Sequence, residues 1–272
     1  MEHMSTLWMA NTRIFRFEDV IKSIGTNRGW QVSLFVLLLW YLASATGFFP
    51  ESVFPSPKQV LQAFVEEVTN GRLWRDIYAS IFRLLCGFLI AVFIGVPMGI
   101  CLGAYPQLRA YGFPIINFLR NISTLAWIPF AVLWFGIGDS PVIFLVFLGA
   151  VLPLSLSVCL AVPNIPRIFF RVAQDSQLTS KEVLFKIILP ALGPQIVSAL
   201  RLCMGLCWII LVAAEMVAGR DGLGFAVWDA RNGLRNDILA MEMLIIGALG
   251  ICLDKVMMRL TLLPSLRWGY ER

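Results

Sequence analysis

The sequence predicts an all-α integral membrane protein with six transmembrane helices and both termini in the cytoplasm. Three observations carry this reading. Of 272 residues, 58% are hydrophobic and 14% charged, against about 25% charged in a soluble domain, and the mean hydropathy is +0.78. Apolar runs of the length a bilayer demands, roughly 20 residues, recur at 32–50, 77–102, 112–135, 141–162, 195–218 and 240–262. Lysine and arginine fall mostly between these runs, and unevenly. With the N-terminus inside, thirteen lie in cytoplasmic segments and six (Lys58, Arg72, Arg75, Arg220, Arg231 and Arg235) in outer ones, as the positive-inside rule requires.

The net charge of +5 serves as a topological signal. Nucleic-acid binding needs basic residues gathered on one solvated face, so no nucleic-acid partner is expected. Cys86, Cys101, Cys159, Cys203, Cys207 and Cys252 all sit within apolar runs. Their spacing matches no zinc or redox motif, so no metal site is expected. His3 is the only histidine, which excludes chemistry that needs an imidazole inside the membrane.

Residues 1–30 read as a cytoplasmic amphipathic segment and 31–272 as the membrane domain. Over 13–24, Ile14, Phe17, Val20, Ile21 and Ile24 share one helical face, with Arg16 and Lys22 off it, the pattern of a helix lying in lipid headgroups. The first apolar run carries Ala43-Ser44-Ala45, which resembles a cleavage site. The polar region before it is too long for a signal peptide, so it is taken as an uncleaved span. Ser56-Pro57-Lys58-Gln59 then supplies an N-cap, an N1 proline and a capping-box glutamine. It opens an outer helix expected to bury Val60, Leu61, Phe64, Val65 and Val68 and to end at Gly71.

The third span holds Arg120, Asn121, Ser123 and Thr124, with Trp127 and Pro129 just beyond. Polar groups on a proline-interrupted span mark irregular backbone that protein or water must cover. Arg120 either attracts an anion toward the pathway or snorkels to the headgroups. Glu215, near the outer end of the fifth span, is either a gate or partner for Arg83 or Arg220, or an interfacial carboxylate in water. Gly222 and Gly224 allow a tight external turn, and Asp254 with Lys255 marks the inner end of the last span.

Between the fourth and fifth spans, about 163–194, lies a polar loop with its own helical pattern. Thr179 and Glu182 form a second capping box, opening a helix through Val183, Leu184, Phe185, Ile187 and Ile188. Pro190 is expected to kink or end it. A loop built to fold suggests a docking surface for another protein.

Here the sequence resembles the membrane subunit of a binding-protein-dependent ABC importer, a type I permease of the nitrate, bicarbonate, taurine and aliphatic-sulfonate branch. The similarity runs from about residue 50 to the C-terminus, through FPSPKQV at 54–60, SIFRLLCGF at 80–88, LAWIPFAVLWFGIGDSP at 125–141, EMVAGRDGLG at 215–224 and LGICLDK at 249–255. The family's cytoplasmic loop reads E-A-A, then G, then L-P. The L-P is Leu189-Pro190, but the glycine falls on Gln177 and the E-A-A on Arg171-Val172-Ala173. Glutamine there must adopt ordinary dihedrals or accept strain.

The resemblance implies a division of labour. Two membrane subunits, here expected as a homodimer, pair around a pathway in the bacterial inner membrane. Two cytoplasmic ATPases, carrying the ATP and Mg, grip the coupling loops, and a periplasmic or lipid-anchored binding protein delivers a small oxyanion. This chain has no phosphate-binding P-loop motif, so it is expected to be no enzyme and to bind no cofactor itself. The ATPase contact is placed on Phe169, Phe170, Arg171, Ala173, Gln174, Asp175, Gln177, Thr179, Lys181, Glu182, Phe185, Leu189 and Pro190, with the three phenylalanines as apolar anchors. The pathway is placed on Arg120, Asn121, Ser123, Thr124, Trp127 and Glu215. The alternative is a gradient-driven secondary transporter of a small anion, for which Glu215 is the one plausible intramembrane carboxylate. A membrane-embedded serine hydrolase fails for want of a histidine.

Overall fold

The computed structural model describes residues 27–46, 50 and 53–261, so the amphipathic helix expected at 13–24 lies outside the described residues. The chain divides into two compact units, Met1–Leu61 and Gln62–Arg272. In the first, the apolar helix α1 (Asn27–Ala45) is followed by a segment that returns on it, with Trp40 Nε1 donating to the Pro55 carbonyl at 3.1 Å. The capping box forms as expected: Ser56 N donates to Gln59 Oε1 at 2.8 Å and Gln59 N to Ser56 Oγ at 3.4 Å.

Helix α2 (Pro57–Thr69) begins there and ends before Gly71, whose φ of +72° suits glycine. Its buried side differs in part from the expected one. Val60, Ala63 and Glu67 are buried. Of the five expected residues, Val60 is buried and Val68 packs against the core, whereas Leu61, Phe64 and Val65 face outward.

The second unit is all helix among the described residues. It continues as α3 (Arg72–Ala104), α4 (Pro106–Asn121), α5 (Ile128–Phe135), α6 (Asp139–Ala161), α7 (Arg167–Asp175), α8 (Ser180–Val183), α9 (Leu189–Ala218), α10 (Leu223–Asn232) and α11 (Asn236–Thr261). Helix α6 is the axis of the bundle, packing most extensively on α3 and then α9. Small residues recur every fourth position on α3, at Gly87, Ala91, Gly95, Gly99 and Gly103. They let the α6 backbone approach closely: a Cβ on Gly87 would lie 2.7 Å from the Ile143 carbonyl oxygen, and one on Gly99 2.6 Å from that of Ser155. Leu145, Leu154, Leu211 and Leu223 are buried in the core so formed, whereas Phe93, Phe118, Ile209 and Leu244 stand exposed on the outside.

Four helical runs among the described residues are long and apolar enough to cross a bilayer, and a bent pair makes a fifth. The expected first span at 32–50 corresponds to α1 and runs into residues outside the described set. The expected third span is not one helix. Helices α4 and α5 meet at 85°, with Ile122 and Ser123 extended at ψ of 123° and 127° and a 3-10 turn at Thr124–Trp127 between.

Of the two outcomes expected at Pro190, a kink or an end, the helix does not end there. Ser180–Ala218 is one 39-residue helical run. The strain is absorbed by a π-turn at Leu184–Ile188, in which Leu189 N donates to the Leu184 carbonyl five residues back. Widening the turn there accommodates a proline ring that would clash with an ordinary α-turn.

Candidate functional site

The break between α4 and α5 opens a cavity of about 530 Å³. Arg120, Asn121, Ser123, Thr124 and Trp127 line it, facing Gly149 and Pro153 of α6 and Leu206 and Ile210 of α9. Five of the six predicted pathway residues are thus brought together, because the chain leaves the helix there and exposes backbone and short polar side chains to one space. Gly149 is ten residues into α6, about 15 Å from its start, so the cavity lies near the middle of the bundle's length.

Arg120 is the one charged residue among the described residues that line the cavity. Its guanidinium makes one long hydrogen bond, Nη2 to Asn117 Oδ1 at 3.4 Å, and Asn121 Nδ2 donates to the Asn117 carbonyl at 2.7 Å. Among the described residues no carboxylate lines the space, which leaves the Arg120 guanidinium as the charge there. Beside it, Trp127, Phe130 and Trp134 form a run of tilted rings with centroids 5.8–6.3 Å apart, which stiffens the short helix α5.

The sixth predicted residue, Glu215, is not on the cavity. It is fully buried near the C-terminal end of α9, and its partner is Arg83 rather than Arg220: Arg83 Nη1 donates to Glu215 Oε1 at 2.9 Å. The same guanidinium donates from Nε to Asp139 Oδ1 at 2.6 Å, from Nη1 to the Asp221 carbonyl at 2.8 Å, and from Nη2 to the Asp221 carboxylate. Ser80 Oγ contacts both Glu215 oxygens at 2.9 and 2.8 Å.

Three backbone amides at the start of α10 complete this cluster. Gly222 N donates to Asp76 Oδ1 (3.1 Å), Leu223 N to Ser80 Oγ (2.9 Å) and Gly224 N to Glu215 Oε2 (3.0 Å). These are the orphan donors of a helix N-terminus, here capped by side chains from α3 and α9. Gly222 is required by its φ of +101°.

Sequence reading did not find Asp76, Ser80, Asp139 and Asp221. A signal existed for the first two: Asp76, Ser80 and Arg83 stand at i, i+4 and i+7, on one face of α3.

A second buried acidic group was also missed. Glu242 of α11 is 1% exposed, and neither carboxylate oxygen has a hydrogen-bond partner among the described residues. It belongs to a group with Glu67 and Asp76, around Arg72, whose Nε lies 3.9 Å from Glu67 and 3.6 Å from Asp76. In α2, burial pushes the Glu67 carboxyl above its ordinary range despite Arg72.

The predicted coupling residues form a separate knob. Arg171, Gln174, Asp175, Thr179 and Lys181 are exposed, and Ala173 is buried at 3%. Phe169 and Phe185 stand out from the surface, whereas Phe170 packs onto the chain's own core. Gln177 adopts φ of +50°. Leu178 N donates to the Ala173 carbonyl and Gln177 N to that of Gln174, each at 3.0 Å, a Schellman cap with glutamine in the glycine position. The Thr179–Glu182 box is formed: Thr179 N donates to Glu182 Oε2 at 3.0 Å, and Lys186 Nζ pairs with Glu182 Oε1 at 2.8 Å. Leu189 and Pro190 follow, exposed, directly after the π-turn.

Known proteins align with this arrangement. Residues 68–261 match the family model of the binding-protein-dependent transport system inner membrane component. The taurine transport system permease protein TauC of Escherichia coli is 32% identical over 242 residues, covering 87% of this chain and 86% of that protein. The bicarbonate transport system permease protein CmpB of Synechococcus elongatus is 36% identical over 237 residues, covering 80% and 82%. Two crystal forms of the MetNI methionine ABC transporter in inward-facing conformations share the fold. Their TM-scores are 0.57 and 0.54 at 20% and 21% identity, over 72% and 70% of this chain. From residue 68 to residue 261, then, this chain belongs to the family of binding-protein-dependent transport system inner membrane components.

Proposed function

We propose that this chain is the inner-membrane permease subunit of an ATP-driven importer, and that a small oxyanion crosses through the cavity at the α4–α5 break. The observation that carries this is the cavity's lining: among the described residues Arg120 is its one charge, with Asn121, Ser123 and Thr124 beside it and no carboxylate. A guanidinium held by one long hydrogen bond, near short hydrogen-bonding groups, suits a compact anion. Relatives named for taurine and bicarbonate transport support this class. The cavity opens on the surface of a single chain, so a second copy is taken to complete the pathway. Coupling is assigned to the α7–α8 knob, with ATP and Mg on two separate cytoplasmic ATPase subunits and substrate brought by a binding protein outside.

The test begins with purification of the tagged chain from its source cell in mild detergent. A stoichiometric ATPase is expected, and it is lost when 171–186 is replaced by a flexible linker. In vesicles holding the complex, Arg120→Gln lowers taurine or bicarbonate uptake by about tenfold, the scale of one lost charged contact. Unchanged uptake would remove the cavity from the pathway.

A further inference from the structure

Helices α6 and α9 line more than the central cavity. A second cavity of about 400 Å³ lies along the same two helices, toward the α7 end. On α6 and the 3-10 turn that follows it (Val162–Asn164), Gly149 and Pro153 line the first cavity and Ser157, Leu160 and Asn164 the second. On α9, Ile210 and Leu206 line the first and Leu202, Ser198 and Gln195 the second. Pro153 to Ser157 and Leu206 to Leu202 are each four residues, about 6 Å along a helix. The two spaces are therefore consecutive turns of one track.

Their chemistry differs. The first has Arg120; the second has no ionisable group and presents Ser157, Asn164, Gln195 and Ser198. Two of these donors rest on their own helical segment, Ser157 Oγ on the Pro153 carbonyl at 2.8 Å and Asn164 Nδ2 on the Leu160 carbonyl at 3.1 Å. Moving such a donor to a passing oxyanion exchanges one hydrogen bond for another, at a net cost well below that of a new bond. Passage demands sites favourable enough to enter and weak enough to leave. A charged station followed by a neutral one meets both demands in sequence.

Resting on the pathway reading above, we propose that Ser157, Asn164, Gln195 and Ser198 form a second, uncharged oxyanion station, from which the substrate is released to the cytoplasm. The residues bind through amide and hydroxyl donors. A carboxylate placed among them repels an anion, whereas a neutral change of shape weakens it less.

The experiment uses the complete complex in vesicles, with labelled taurine and bicarbonate as probes and ATP hydrolysis measured alongside uptake. Gln195→Glu and Asn164→Asp are expected to cut uptake by about tenfold or more, the effect of juxtaposed like charges, with hydrolysis within about twofold of wild type. Gln195→Asn retains most uptake, which separates charge from lost packing. If both acidic variants take up both probes at the wild-type rate while Arg120→Gln does not, the second station is wrong and the central pathway stands. If neither the acidic variants nor Arg120→Gln changes uptake, both assignments fail. If the acidic variants lose hydrolysis with uptake, the residues serve coupling or folding, and the station is equally overturned.

Discussion

Gln177 and Leu234 are the described residues other than glycine that hold the left-handed backbone region, at φ of 50° and 55°. Each terminates a helix in the same way: Arg235 N reaches back to the Ala230 carbonyl and Leu234 N to that of Arg231, repeating the pattern at Gln177. A side chain there costs about 1–2 kcal/mol, part of which glycine returns as entropy of the unfolded chain. Gln177→Gly and Leu234→Gly are each expected to raise stability by roughly 0.5 kcal/mol, read as a higher Tm in detergent; an unchanged or lower Tm would mean that neither turn is strained. At Arg83 the effect runs the other way. Arg83→Ala leaves Glu215 buried without its cation, a loss of about 3–5 kcal/mol. Lysine cannot reproduce a fork that serves three carboxylates, so Arg83→Lys should also fall well below wild type. Adding Glu215→Gln to Arg83→Ala should recover part of the loss, because the two groups share one network; strict additivity would refute the pairing. For Glu242 the expected sign is a gain. Glu242→Gln brings donors to a buried acidic group with unpartnered oxygens and should raise the Tm.

The loop that joins α6 to α9 shows why some elements were legible in the sequence and others were not. Its capping box needs only Thr179 and Glu182, three residues apart, and formed as read; so did Ser56–Gln59. Apolar runs are equally local: 77–102 and 195–218 lie within α3 and α9, 141–161 within α6, and the described part of 240–262 within α11. The clustering of Arg120, Asn121, Ser123 and Thr124 marked irregular backbone, but no local pattern announces a bend of 85°. The ion cluster joins residues as far apart as Arg83 and Asp221, so its geometry required the fold. Pro190 does not end its helix, as one of its two expected outcomes had it, but distorts the turn before it into a π-turn. That turn is itself testable. In Pro190→Ala the missing donor returns and an ordinary α-turn becomes available. Closing the π-turn by one residue rotates everything before it by about 100° about the helix axis. Thr179, Lys181 and Phe185 would then face a new direction, with the bundle intact. ATP hydrolysis that no longer drives uptake is the expected result. Full coupling would show that the orientation of α8 does not matter.

Across the whole molecule, the two ends of the bundle are held by different means. At the α10 end, Arg83, Ser80 and Asp76 of α3 tie together the start of α6, the end of α9 and the first turn of α10 through buried and half-buried hydrogen bonds. Gly138 N adds a bond to the Ala218 carbonyl at 2.9 Å. At the α7 end, Arg171, Gln174 and Asp175 are exposed, and the Glu182–Lys186 pair is a local one on the surface, where such pairs contribute at most about 1 kcal/mol. Local opening free energies follow burial and hydrogen-bond depth, so the molecule should exchange its amides unevenly along its length. Amides of Gly222, Leu223 and Gly224, which donate to buried side chains, should be among the slowest to exchange. Those of Gln174 through Lys181 should exchange within the earliest time points, although both segments include helix termini. Arg83→Ala should bring the first group close to the second. If the coupling proposed above holds, this asymmetry serves it, because the α7–α8 segment leads into a 39-residue helical run whose far end is held by the ion cluster. Equal protection at both ends would leave the ion cluster without that anchoring role.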